Sequence, residues 1–106
     1  MIKPQSFPSK FSFEEPITSM DFAAQIAAQS PGATIASFEV DSDFFAGDAS
    51  SPSDIRMGGA SLSGTRVIQQ ITGGLPGNTY LLTYRVTLST GEIFGEQRLL
   101  PVVFYI

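Results

Sequence analysis

The sequence predicts an all-β fold, an antiparallel β-sandwich of about seven strands. Short segments in which apolar and polar residues alternate recur along the 106 residues. Turn residues such as glycine, proline, asparagine and serine separate these segments at intervals of about ten residues, as in sandwich folds. The series of long amphipathic segments that an α/β fold requires is missing from the sequence.

Composition places the chain among single-domain globular proteins. A length of 106 residues is enough for one hydrophobic core but not for two. The 42% hydrophobic and 15% charged content is typical of a folded chain and not of a disordered one.

Charge and residue usage argue against several classes of function. The net charge of -4 disfavours binding to nucleic acid or to an anionic membrane surface, and no apolar run approaches the ~20 residues of a membrane span. Histidine and cysteine are both absent. Since these residues supply most neutral-pH acid-base groups, thiol nucleophiles and zinc ligands, we expect neither catalysis nor a cofactor.

The first residues predict an extended arm. Residues 1–16 contain three prolines and both lysines, a composition that suits an extended segment ahead of a sandwich domain over 17–106. Phe7 and Phe11 lie in this arm and are candidate contact residues, either with the domain or with a neighbouring molecule.

Residues 18–29 fit two secondary structures. Phe22, Ala23, Ile26 and Ala27 are spaced as on one helix face, and the alanine content favours a helix. Alternate residues of the same stretch also fit a strand, and the β pattern of the remaining chain leads us to expect a first strand here.

The next strand is expected to be followed by a long acidic loop. Thr34–Val40 predicts a half-buried strand in which Ala36, Phe38 and Val40 share one face. Residues 41–54 contain four aspartates, four serines, a glycine and a proline, which predicts an exposed loop. Within it, Phe44 and Phe45 are adjacent, so an extended chain cannot turn both toward one core, and we regard both as candidate contact residues.

Two further strands are expected before the centre of the pattern. Residues 54–62 predict one or two short strands divided by a turn or bulge at Gly58 and Gly59. Thr65–Thr72 predicts another strand with Val67 and Ile71 on the same face, closed by two glycines.

The clearest strand pattern lies at Tyr80–Ser89, followed by a turn at Thr90 and Gly91. Glu92–Ile106 is expected to return as the last strand, interrupted by Gly95 and Pro101. Its apolar end contains the candidate contact residues Phe104 and Tyr105, and an uncovered apolar edge favours association with a partner. On Tyr80–Ser89, the side predicted to face the core carries Tyr80, Leu82, Tyr84, Val86 and Leu88.

The turn before this strand resembles a feature of immunoglobulin-like and fibronectin-III-like sandwiches. Residues 75–80 read LPGNTY, in which Pro76 and Gly77 form a turn and Tyr80 follows at the strand entrance. In the tyrosine corner of those domains, the tyrosine hydroxyl reaches back to the backbone. The resemblance implies that the Tyr80 ring packs in the core while its hydroxyl satisfies a buried carbonyl.

Residues 15–103 resemble small tailed-bacteriophage virion proteins with an immunoglobulin-like sandwich. The stretches that carry the resemblance are MDFAAQI, ATIASFEV and GGLPGNTYLLTYRVTLSTGEIFGEQRLLPV. The chain departs from that group in lacking tryptophan and in its long acidic 43–54 loop. The resemblance implies a non-enzymatic virion protein that decorates the capsid or belongs to the neck or tail, and that binds other virion proteins and copies of itself.

Two other functions compete with this interpretation. A carbohydrate- or receptor-binding sandwich would stack loop aromatics on sugar rings, although the lack of tryptophan disfavours it. A small hydrolase would use paired carboxylates such as Asp41 and Asp43, whose close spacing makes such a pocket improbable. The same aspartates suggest calcium, but Phe45 stands where a calcium loop requires an oxygen donor.

Overall fold

The structure is a computed structural model that describes residues 5–11, 14–47 and 55–103. The all-β class predicted from the sequence is confirmed, and the described residues also contain one short helix. This helix is not long and apolar enough to cross a membrane. In chain order the elements are β1 (Lys10–Phe11), β2 (Ile17–Asp21), α1 (Ala23–Gln29), β3 (Ile35–Ala46), β4 (Ile55–Ser63), β5 (Arg66–Gly73), β6 (Thr79–Leu88) and β7 (Ile93–Val103).

The strands form two sheets around a common core. The first sheet has the order β1-β7-β6-β3 and the second has the order β2-β5-β4. Neighbouring strands are antiparallel, except that the short β1 runs parallel to β7. The chain therefore crosses between the sheets after β1, β2, β3 and β5, while the pairs β4-β5 and β6-β7 are hairpins.

Strand β6 is the centre of the first sheet, and its predicted alternation is correct. The side chains of Tyr80, Leu82, Tyr84 and Val86 are all 0% exposed, whereas the residues between them are exposed or half-buried. The second sheet and the helix close over this row with their own buried side chains, which are Met20, Phe22, Ile26, Ile55, Val67 and Ile71.

The expectation of a strand throughout residues 18–29 is wrong in its second half. Strand β2 ends at Asp21, and α1 follows from Ala23 to Gln29. The Asp21 carboxylate accepts hydrogen bonds from the Ala23 N–H at 2.9 Å and from the Thr65 hydroxyl at 2.7 Å. These hydrogen bonds, that from Thr65 first, lower the pKa of Asp21. The carboxylate thus supplies an acceptor at the first turn of the helix.

The buried residues of this segment are spaced as in a helix. Phe22 and Ile26 lie one helical turn apart and are both buried, at 0% and 5% exposure. An alanine-rich segment forms a helix readily once two such residues have a core to enter.

The predicted exposed loop at 41–54 is also partly wrong, because β3 continues to Ala46. Asp41–Asp43 pair with Leu81–Thr83, and Phe44 pairs with Tyr80. The long strand β6 offers a ladder of backbone partners that outweighs the weak strand propensity of aspartate and serine. Residues 48–54 of the predicted loop lie outside the described residues.

Two details of strand phase differ from expectation. Ala36 is exposed and does not share the face of Phe38 and Val40, because the register with β6 shifts between Ile35 and Ser37. Neither Gly95 nor Pro101 interrupts β7, because Gly95 pairs with Arg85 and the Val102 N–H next to Pro101 donates to the Asn78 carbonyl at 2.8 Å.

The predicted bulge in β4 is present as a register shift between Met57 and Ala60. The buried Gln69 side chain donates its Nε2–H to the Gly58 carbonyl at 2.8 Å and so satisfies an acceptor that the bulge releases from the ladder.

The packing of β6 predicts unequal effects of one substitution at two adjacent leucines. Leu82→Ala should lower the free energy of unfolding by about 2–5 kcal/mol, because it leaves a cavity in the core. Leu81→Ala is the matched control: its side chain lies half-buried on the outer face, and we expect less than half that loss. Urea denaturation followed by circular dichroism measures both, and equal losses would contradict the assignment of faces.

Candidate interaction surface

The turn into β6 holds the residues predicted to form a corner. Pro76 and Gly77 form the turn, and the Gly77 N–H donates to the Val102 carbonyl at 2.8 Å. Tyr80 is fully buried, and its hydroxyl accepts a hydrogen bond from the Leu75 N–H at 2.9 Å. The hydroxyl therefore reaches back to the backbone, where it meets an N–H instead of the carbonyl that we expected.

A glycine makes this corner possible. Gly74 has φ +93°, and a Cβ at this position would lie 2.8 Å from Cγ2 of Val102. Any side chain would thus both strain the backbone and push into the core.

The N-terminal segment lies along β7. The Leu99 N–H donates to the Gln5 carbonyl and the Phe7 N–H donates to the Leu99 carbonyl, both at 2.8 Å. The Phe7 ring contacts the Tyr84 ring edge-to-face with a centroid distance of 6.1 Å. This candidate contact residue is therefore engaged within its own chain in the structure.

Lys10 links this segment to the second sheet. The residue is 2% exposed, and Nζ donates to the carbonyl of Gly73 at 2.6 Å and to that of Phe11 at 2.7 Å. Burial lowers the pKa of Lys10, and the charges of Glu14 and Glu15 oppose this shift. Composition alone had placed this lysine in an extended arm, without any indication that its ammonium is buried.

A second polar link joins the sheets at their centre. The Thr18 hydroxyl donates to the Gln69 carbonyl at 2.9 Å and accepts a hydrogen bond from the Tyr84 hydroxyl. Burial raises the pKa of Tyr84, and its hydrogen bond to Thr18 opposes this shift. The hydroxyl is thus held neutral as a structural donor.

The adjacent phenylalanines of β3 face different environments. Phe44 is half-buried in the register that faces the core, and Phe45 is 42% exposed beside a register shift. Phe11 is half-buried in β1, and the last two candidate contact residues, Phe104 and Tyr105, lie outside the described residues.

The outer face of β3 is a surface that the sequence analysis missed. Glu39, Asp41 and Asp43 alternate along it, and all three are exposed. Arg85 of β6 forms an ion pair with Glu39, whereas Asp41 and Asp43 lie opposite Thr83 and Leu81. The alternation of acidic residues with Val40, Ser42 and Phe44 was the available signal, but the aspartates and serines suggested a loop.

Two open hollows accompany these surfaces. One of about 340 Å³ lies between the N-terminal segment and β2, bordered by Phe7, Pro16 and Ile17. Another of about 290 Å³ lies beside the Arg85–Glu39 pair. In the part of the chain that the structure describes, no three carboxylate, histidine or cysteine side chains are grouped to hold a metal ion.

Comparison with known protein families identifies the family of the chain. Residues 15–101 match the family described as podophage GP4 fiber-tail adaptor protein gp77. The chain belongs to this family. The gp77 family match extends from before β2 into β7 and so includes both sheets apart from the short β1.

Membership in the gp77 family makes the protein a component of the virion of a tailed phage, as the sequence resemblance implied. It is consistent with a structural part of the tail. No curated protein and no solved structure shows significant similarity to the chain.

The corner hydrogen bond predicts a stability loss for Tyr80→Phe. The substitution keeps the buried ring but leaves the Leu75 N–H without its acceptor, so we expect the free energy of unfolding to fall by about 1–3 kcal/mol. Urea denaturation measures it. Thr87→Val, which removes a half-buried hydroxyl on the outer face of β6, is the control, and an equal effect there would contradict a specific role for the corner.

Burial of Lys10 predicts a pH-dependent difference from Lys10→Met. Because the folded state disfavours the charged amine, the unfolded chain binds the proton more tightly. The loss of stability caused by burying this charge therefore becomes smaller as the pH rises toward the pKa of the unfolded chain. The stability of the native protein relative to Lys10→Met should therefore rise as the pH increases toward 10.5, the ordinary pKa of a lysine. Urea denaturation of both proteins between neutral and alkaline pH tests this, and a falling difference would contradict it.

Proposed function

We propose that the protein is a tail adaptor, a non-enzymatic connector that joins a fiber to the phage tail through protein-protein contacts. The observation that carries the proposal is the family match over residues 15–101. Among the capsid, neck and tail locations that the sequence left open, the tail fits the description of the family best.

The strand order supports an immunoglobulin-like form of the sandwich. In the immunoglobulin arrangement, strands C, F and G form one sheet and strands B, E and D lie in the other. If β2 to β7 are assigned to B to G in order, the observed sheets β7-β6-β3 and β2-β5-β4 have these neighbours. We propose this identity for residues 17–106, with residues 1–16 as an arm; α1 is an addition between the second and third strands.

An adaptor requires at least two separate contact surfaces. The first sheet ends in β3 on one side and in β1 and the N-terminal segment on the other, so the two sides differ in chemistry. Phe45, exposed at one end of β3, is an apolar anchor of the kind that concentrates binding energy at interfaces. We propose that other virion proteins contact these surfaces and that copies of the chain associate within the tail.

The proposal predicts that particles assembled without this protein have tails but lack fibers. The reason is that the fiber would have no attachment surface on the tail. Electron microscopy and quantitative mass spectrometry of particles from a nonsense mutant measure fiber content, and purified protein added together with free fibers should restore it.

Two variants separate an interface effect from a general defect in this assay. Phe45→Ser should reduce restoration, whereas Ile93→Ser, which replaces an exposed apolar residue at the other end of the sheet, should retain it. Normal fiber content on particles that lack the protein would overturn the adaptor function.

A further inference from the structure

Strand β3 is a long strand, and one of its edges has no partner strand among the residues that the structure describes. It has 12 residues, and within the described chain it pairs with β6 alone. Ser89, which directly follows β6, donates its N–H to the Thr34 carbonyl on the β3 side, whereas Leu88 donates its N–H to the Glu92 carbonyl on the β7 side. Because antiparallel pairing alternates, the N–H and C=O groups of Phe38, Val40 and Phe44 are directed toward the open edge.

The edge is protected against random pairing by charge. Native proteins commonly protect open edges with charged residues, prolines, bulges or short strand length. Strand β3 contains neither proline nor lysine, but it has a register shift near each end and three acidic residues on its outer face. Among the residues that the structure describes, Glu39 has a cationic partner whereas Asp41 and Asp43 have none, so these two aspartates leave negative charge beside the edge.

This charge disfavours a second copy of the chain as the occupant. Antiparallel pairing of two β3 edges about Val40 would place Glu39 of one copy opposite Asp41 of the other. Shifting the register by two residues either pairs Asp41 with itself or pairs Glu39 with itself. Like charges directly opposite each other destabilise a sheet, so central self-pairing is penalised in each of these registers.

The complementary occupant is a basic strand. We propose that the free edge of β3 is a docking site for an extended, basic segment of a neighbouring virion protein, which adds to the first sheet as a fifth strand. Main-chain hydrogen bonds to the edge supply affinity in such complexes, and alternate side chains supply specificity. The proposal rests on the adaptor function for the origin of the partner.

The geometry specifies the pattern of the docking segment. Positions opposite Asp41 and Asp43 are the non-hydrogen-bonded pairs of the new ladder, in which Cα atoms are about 4.5 Å apart and side chains are closest. Lysine or arginine at every second residue, about 6.8 Å apart, would therefore match the two carboxylates.

The test is a titration of the isolated full-length protein with a short synthetic peptide of alternating lysine and valine. Backbone amide spectra and hydrogen exchange should show new protection at Phe38, Val40 and Phe44, with little change at amides that already bond to β6. Asp41→Asn and Asp43→Asn should each weaken binding about two- to fivefold, the worth of one cross-strand ion pair. Added salt should weaken binding of the native protein more than that of the double variant.

Matched controls exclude a general charge effect. Glu15→Gln removes one exposed negative charge far from β3 along the chain and should leave affinity unchanged. A peptide with glutamate in place of lysine, and one with the same composition but consecutive lysines, should bind at least severalfold more weakly.

Protection elsewhere, equal affinity for all three peptides, or no loss in the two aspartate variants would overturn the docking site. The titration contains no phage particles, so these outcomes leave the adaptor function to its own test. Conversely, if fibers attach without the protein, the proposed source of the docking segment is wrong, but a peptide site that has been measured on β3 still stands.

Discussion

The packing of one side of β6 is the constraint on which the rest of the structure depends. Its fully buried side chains occupy the space between the two sheets, and both neighbours of β6 in the first sheet take their register from it. The two tyrosines of this row combine ring burial with hydroxyl contacts, Tyr80 to the preceding turn and Tyr84 to Thr18 of the opposite sheet. A strand of this kind fixes both the core and the relative position of the sheets.

The two edges of the first sheet differ in structure and charge, and this asymmetry is relevant to an adaptor. On one side, the N-terminal segment covers part of β7 and is held by the Phe7 ring and the buried Lys10 ammonium. On the other side, β3 has an edge that no strand of the described residues pairs with, and negative charge lies beside it. A small protein that connects two larger ones benefits from such unequal surfaces, because each partner then has only one complementary place to bind.

Binding at an edge would also explain the composition of β3. Its outward residues are poor strand formers, and they would be costly in a strand formed only for stability. On an edge, the same acidic residues discourage pairing with copies of the chain while remaining available to a basic partner. The cost to local propensity is offset by the long pairing with β6.

Much of the fold could be predicted from the sequence, because it is encoded in strict alternation over a strand. The Tyr80–Leu88 row, the bulge at Gly58 and Gly59, and the all-β class all follow from local periodicity and turn residues. The phage virion resemblance was likewise carried by residues in the sequence, whereas the roles of Phe104 and Tyr105 stay predictions.

Tertiary structure decided the elements whose local patterns were ambiguous or misleading. The core selected a helix at Ala23–Gln29, which buries Phe22 and Ile26 while leaving exposed Ala24, a residue that a strand would place on the same face. Pairing with β6 extended β3 through aspartates and serines that suggested a loop. Lys10 is buried where its Nζ can donate a hydrogen bond to the Gly73 carbonyl. Local sequence thus determined the segments that fit a single periodicity. Long-range partners determined the other segments, because the backbone and polar groups of those segments gain hydrogen bonds only in the assembled sheets.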